Sequence, residues 1–196
     1  MTQVVDPAVS RAKFDAEVER FNSHQDSYAK RGWWMVRAKF PIVEIAFLTT
    51  KLRPPIVALT ARFDFTDFDL KPLSVKFIDL FTGSEVPAEQ LQSRMRRLDP
   101  SIPPEIGMAL MQQGQQPLHQ ALIQAVPGQP GFLCMPGVRE YHEHSAHSGD
   151  PWELHRASGE GSMLQIAEKI WQYGSDPIDA IGVEMRQTYQ QSLIPA

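Results

Sequence analysis

A chain of 196 residues, 42% hydrophobic and 21% charged, has the composition of a soluble globular protein and the length to bury one real core. Its formal charge of −4 provides no global basic field for nucleic acid, and its apolar runs are too short to span a membrane. The lone cysteine allows no internal disulfide, and MTQVVDPAVSRAKFDAEVERF lacks the basic-then-apolar pattern of a signal peptide, so the expected compartment is the cytoplasm.

Residues 7–30 read as an opening helix, with Phe14, Val18 and Phe21 at helical spacing and Asp15, Glu17, Glu19 and Arg20 on the wet face. Gly32 punctuates its end. WWMVRAKF (33–40) alternates, which predicts a strand with Trp34, Val36, Ala38 and Phe40 on one face. After Pro41, IVEIAFL (42–48) resumes as a strand with Glu44 toward water. IVALTARFDF (56–65) puts Val57, Leu59, Ala61, Phe63 and Phe65 on one side, and SVKFIDL (74–80) is closed by a TGS turn. Short links between these strands predict an antiparallel meander.

Between Val86 and Gly131 the pattern weakens. RMRR (94–97) reads as a solvated basic patch, and EIGMALMQQGQQPLHQALIQA as one or two short helices. Ser162 and Gln165 have the form of a capping box, followed by a stripe of Met163, Ile166, Ala167 and Ile170. A last helix is expected over roughly 176–192, with Ile178, Ile181 and Met185 inward. The sum is α+β, in one domain over residues 1–196. DFTDFD (64–69) lacks the glycine and distal glutamate of a calcium loop and reads as a solvated strand end.

The chemistry concentrates in FLCMPGVREYHEHSAHSGDPWELHR (132–156), which holds Cys134 and four of the six histidines. Cys134, His142, His144 and His147 are all acceptable zinc ligands and Glu140 and Glu143 add carboxylates, although one cysteine eight residues before the first histidine, with no second Cys-x-x-Cys, is no familiar finger. The competing reading is a nucleophile. Cys134 falls where a strand ends and a Met-Pro-Gly turn begins. Arg139 and the histidines are close enough in sequence to favour thiolate over thiol and to move protons. An inert buried cysteine beside surface histidines is the bland alternative.

A leading helix, a four-stranded meander, a proline-containing crossover, Cys134, then Trp152 and closing helices is similar to the ubiquitin-conjugating enzyme fold. More narrowly, LCMPGVREYHEHSAHSGDPW resembles the signature of a bacterial family described as a predicted Cys-Glu-His-His metal-binding domain. That family occurs in operons with a ubiquitin-like protein, an activating enzyme and a JAB-type deubiquitinase, and such operons resemble antiviral conjugation systems. The signature falls on Cys134, Glu140, His142 and His147.

The resemblance implies a conjugating enzyme that carries a ubiquitin-like modifier as a thioester on Cys134 and transfers it to an amine. His142 and His147 would be proton-shuttling or polar donors, Glu140 would orient a histidine or a loop, and no cofactor would be needed. Its rival is a zinc-binding scaffold of the same system using Cys134, Glu140, His142 and His147. An inactive binding module is the third reading. The tail of a modifier must reach the sulfur, so Cys134 is expected at the edge of a shallow groove, and the first helix, with Lys13 and Arg20, is expected to dock the activating enzyme. Conjugating enzymes place a His-Pro-Asn before the cysteine. Here the single asparagine is Asn22, so another group must serve the carbonyl oxygen, and the histidine cluster is the expected substitute.

Overall fold

A computed structural model describes residues 4–91, 93–99, 101–115, 119–124 and 130–182. The opening helix forms as two pieces, α1 (Pro7–Ser23) and α2 (Gln25–Lys30). Asp6 caps α1 by accepting from the Ala8 N–H, and proline occupies the first turn, where its missing N–H costs nothing. The break comes at His24. Ser23 Oγ donates to the Arg20 carbonyl at 2.8 Å and His24 Nδ1 lies 3.1 Å from the same oxygen, so side chains compete with the helical ladder there. Phe14 and Phe21 enter the core as expected, whereas Glu17 is not on the wet face: it is 8% exposed. Its carboxylate accepts from the Leu164 N–H at the start of the last helix, a favourable place for negative charge, although burial raises its pKa.

Gly32 has φ +80, and a Cβ there would lie 2.5 Å from the Leu48 carbonyl oxygen, so only glycine allows the turn into the sheet. The meander is confirmed: β1 (Trp33–Lys39), β2 (Ile42–Leu48), β3 (Val57–Asp64) and β4 (Ser74–Phe77) pair antiparallel in sequence order. Two facial assignments change. A register shift between Met35 and Arg37 interrupts the alternation of β1, and Trp33 enters the core, stacked on Tyr28 at 4.7 Å, while Trp34 is 58% exposed. Glu44 does not face water. It is buried opposite Arg62 in the register and accepts from the Arg62 guanidinium at 2.8 Å. Asp67, expected to be solvated, is likewise buried and accepts from the Val4 and Val5 N–H groups, which lower its pKa.

The weakly patterned middle yields β5 (Arg96–Leu98), α3 (Pro104–Gln112), β6 (His119–Ala121) and β7 (Ile123–Gln124). Helix was expected through 119–124, yet these residues are extended because strand partners outside the segment claim them: β6 pairs with the distant β5, and β7 with β8 (Phe132–Leu133). The main sheet then runs β1-β2-β3-β4-β8-β7, two strands wider than the predicted meander.

Beyond β8 come α4 (Arg139–His142), a single turn at Ser145–His147, α5 (Glu153–Arg156) and α6 (Met163–Ile170). Ser162 caps α6 by accepting from the Gln165 N–H, and Met163, Ile166, Ala167 and Ile170 are fully buried, both as predicted. The architecture is α+β: an N-terminal helix, an antiparallel sheet and C-terminal helices. Residues 176–182 are not helical, and the rest of the expected last helix, with Met185, lies outside the described residues. Among those residues no helix is long and apolar enough to cross a membrane.

Trp152 packs where this last region closes on itself: it is buried, and its indole N–H donates to the Asp69 carbonyl at 2.9 Å. A Cβ on Gly161 would lie 2.3 Å from its ring. Gly161→Ala should therefore destabilise the protein by about 1–3 kcal/mol in urea titration, as overpacking does. Gly149→Ala, with no atom within 4 Å of the added Cβ, should stay within about 0.5 kcal/mol of the parent.

Candidate active site

Cys134 stands where the sequence places it, at the end of β8 and the start of a turn. Its N–H donates to the Leu122 carbonyl at 2.7 Å, which ties it to the chain beside β7. Gly137, with φ +88, turns the chain back, and the Arg139 N–H donates to the Leu73 carbonyl at 2.8 Å, anchoring α4 against the start of β4. The thiol is not at the rim of an open groove as expected: Cys134 is 7% exposed. Two side chains close on Sγ. The Gln124 amide Nε2 donates to it at 3.1 Å from β7, and His147 Nε2 lies 3.4 Å away.

His147 is held by stacking. Its ring lies on Tyr141 at 4.0 Å with an interplanar angle of 24°. The Tyr141 hydroxyl donates to Asp150 Oδ2 at 2.8 Å, and burial together with that carboxylate pushes its pKa up to about 12, so it stays a phenol. The other Asp150 oxygen, Oδ1, lies 2.6 Å from His155 Nε2, and His155 Nδ1 meets Glu160. Two carboxylates on the two ring nitrogens call for an imidazolium, and Asp150 first, then Glu160, raises the pKa of His155. His155 and Tyr141 in turn hold the Asp150 carboxyl below its usual range. Glu160, His155, Asp150, Tyr141 and His147 thus form one chain of contacts that ends on the sulfur.

Glu140 and His142 are not part of the sulfur's surroundings. Glu140 turns to β4, accepting from the Ser74 hydroxyl and from the Val75 N–H at 3.1 Å, with Lys76 Nζ at 3.6 Å. Both ring nitrogens of His142 are engaged: Nδ1 donates to the Asp150 carbonyl at 2.9 Å and Nε2 accepts from the Gly137 N–H at 3.1 Å. That arrangement fixes the neutral Nδ1–H tautomer, and burial lowers its pKa accordingly. Both residues build the loop that carries the site. His144 stacks on Phe132 at 5.2 Å. Among the described residues no three His, Cys, Asp or Glu side chains are grouped as a metal ion requires, and Glu140 and His142 turn to the backbone while His147 stays by Cys134.

The electrostatic expectation also changes. Arg139 is buried with its guanidinium on the Pro72 and Thr66 carbonyls, away from the thiol. Burial pushes the Cys134 pKa up, and Arg97, not Arg139, is the cation that opposes it. A resting thiol with a base at 3.4 Å can lose its proton to that base on attack. Beside it a cavity of ≈ 170 Å³ is lined by Arg97, Leu122, Met135, Pro136, Lys169 and Tyr173. Gln124, Tyr141, Asp150 and His155 were not assigned from sequence. Gln124 carries no local signal, since only the β7–β8 pairing delivers it. The aspartate and tyrosine lay inside the conspicuous motif and could have been weighed with the histidines.

The imidazolium sets a pH dependence. His155 contributes stability that is fully present below its ordinary value of 6.5 and is lost as pH rises through its raised folded pKa. His142 acts oppositely, because below 6.5 its unfolded imidazole takes up protons that the folded one excludes. Subtracting the urea midpoints of His155→Gln from those of the parent across pH 5–9 isolates the first contribution. The difference should be largest at the acid end of that range and shrink toward pH 9.

The match to known proteins is broad. The model of the Y4jH-like family, described as the Y4jH family, matches residues 5–178. The uncharacterized protein y4jH of Sinorhizobium fredii (strain NBRC 101917 / NGR234) is 42% identical over 197 residues, covering 98% of this chain and 95% of that protein. A match that runs from the first helix through the sulfur and its loop to the end of α6 makes this chain a member of the Y4jH-like family.

Proposed function

We propose that the protein is a conjugating enzyme that accepts a ubiquitin-like modifier on Cys134 as a thioester and passes it to an amine. The observation that carries the reading is a single sulfur at a strand end with an amide donor and an imidazole within reach. Acyl exchange at sulfur needs little more than orientation, proton removal and a donor for the carbonyl oxygen. The order of helix, meander, cysteine, tryptophan and closing helices supports it, as does the resemblance of the 133–152 signature to proteins of bacterial, antiviral-like conjugation operons. An activating enzyme supplies the modifier, and a JAB-type deubiquitinase of the same operon would remove it.

In this reading His147 is both cover and base. It swings from above Sγ to admit the modifier's tail and takes the proton from the thiol or the incoming amine. Glu140 and His142 shape the loop and do not act on the acyl group. Lys13 is a poor probe of activating-enzyme docking, because its ammonium lies 2.6 Å from Asp69, which also holds Arg156 of α5. Arg20 has a mostly exposed side chain but its guanidinium lies 3.7 Å from the buried Glu17, so it is probed by neutralisation rather than charge reversal.

The test mixes the protein with its operon's activating enzyme, modifier and ATP. A reductant-sensitive adduct should form and vanish in Cys134→Ala. His147→Ala should keep the melting temperature and slow transfer to free lysine by about 10²–10⁴-fold, the range for one general base. Arg20→Gln should slow loading, with its melting temperature read beside the rate because Arg20 pairs with the buried Glu17. Stoichiometric zinc in the purified protein, released by Cys134→Ser together with a fall in stability, would instead establish the scaffold reading.

A further inference from the structure

We infer that Gln124 is the oxyanion donor of this site, an assignment that rests on Cys134 carrying an acyl group. The donors around the sulfur can be accounted for one by one. The Cys134 N–H is bonded to Leu122, the Met135 N–H to Leu133 and the Val138 N–H to Met135, while Pro136 has no N–H. The Gly137 N–H is taken by His142 Nε2. That bond and the one from Nδ1 leave His142 without a free donor. His144 stacks on Phe132, and its Nδ1 accepts from the Ala146 N–H; the proton then left on Nε2 makes no contact with Sγ among the described residues. His147 presents Nε2 to the sulfur, where a base is needed. Gln124 Nε2, at 3.1 Å from Sγ, is the remaining donor aimed at the reacting atom.

A thiol is a weak acceptor and a poor reason to order a glutamine. An acyl group on Sγ would bring a carbonyl oxygen two bonds from the sulfur, within a small side-chain rotation of Nε2. Gln124 sits on a strand whose register is fixed against β8, Gln124 facing Phe132 and Ile123 facing Leu133, so its backbone does not move to make the contact. When an amine attacks, its nitrogen forms a bond to the carbonyl carbon and the π pair moves to oxygen, which accepts from the Gln124 amide. The nitrogen's proton passes to His147. Collapse restores the carbonyl, breaks the C–S bond and releases the thiolate, which recovers the proton from the imidazolium. Arg97 favours the negative charge from further away, its guanidinium held by Gln120 Oε1 at 2.6 Å.

The experiment loads the protein with modifier, removes the activating enzyme and follows discharge to free lysine for the parent, Gln124→Leu, Gln124→Glu and Gln124→Asn. In parallel, iodoacetamide alkylates Cys134, a reaction that creates no oxyanion. Discharge should fall about 10²–10³-fold in Gln124→Leu and in the near-isosteric Gln124→Glu, the cost of one oxyanion donor. Alkylation should keep the parent's rate in Gln124→Leu, and Gln124→Asn should recover part of the discharge. Discharge at the parent rate, or discharge and alkylation falling by the same factor, overturns the assignment and leaves thioester formation standing. A parent protein that never forms the reductant-sensitive adduct overturns the thioester reading and this assignment with it. Gln124→Glu guards against misfolding, and its melting temperature is read beside the rates.

Discussion

Asp150 is the joint on which the site depends. One carboxylate oxygen receives the Tyr141 hydroxyl, the other faces the His155 ring, and its backbone carbonyl accepts from His142. Those contacts close residues 139–160, a stretch of short turns with little regular structure, into one body. Short turns bury too little apolar surface to fix their own geometry. Charge-assisted and buried polar contacts do it here, and they are directional enough to place the His147 ring over one sulfur.

That placement sets burial against reactivity. A thiol under an imidazole is protected from solvent and keeps its proton, because desolvation disfavours the thiolate and Arg97 only partly offsets it. In the proposed conjugating reading the same cover would supply the base that removes the proton once a partner opens the site. The Asp150–His155 pair sits on the outer side of this cover, so protonation there acts on loop order and reaches the sulfur only through Tyr141 and His147.

Periodicity made some of this legible. Phe14, Phe21, the Leu59, Ala61, Phe63 and Phe65 side of β3 and the α6 stripe sit where a repeat of 3.6 or 2 puts them, whereas Val57 is exposed and β2 is buried on both faces from Val43 to Phe47. The same rule grouped Trp34 with Phe40 on one face, and the one-residue shift in β1 separates them: Trp34 is exposed while Phe40 packs against the core. It also missed β6 and β7, although the strand ending at Cys134 was expected and is β8. The missed strands are two or three residues long and owe their extended form to pairing, of β6 with the distant β5 and of β7 with β8 just after it, which no local periodicity announces.

The sequence by itself determined the α+β order of elements, the capped last helix and the stretch in which the chemistry lies. It singled out Cys134 because one sulfur among clustered histidines has few bland explanations. It could not apportion the cluster. Residues six to thirteen apart on a string of turns can face any direction, and hydrogen bonds to distant backbone decide which. Only the tertiary structure turned Glu140 to Val75, locked His142 between Gly137 and Asp150 and left His147 on the thiol. It also brought in Gln124 from a neighbouring strand, a contact that depends on β7–β8 register and leaves no mark in local sequence.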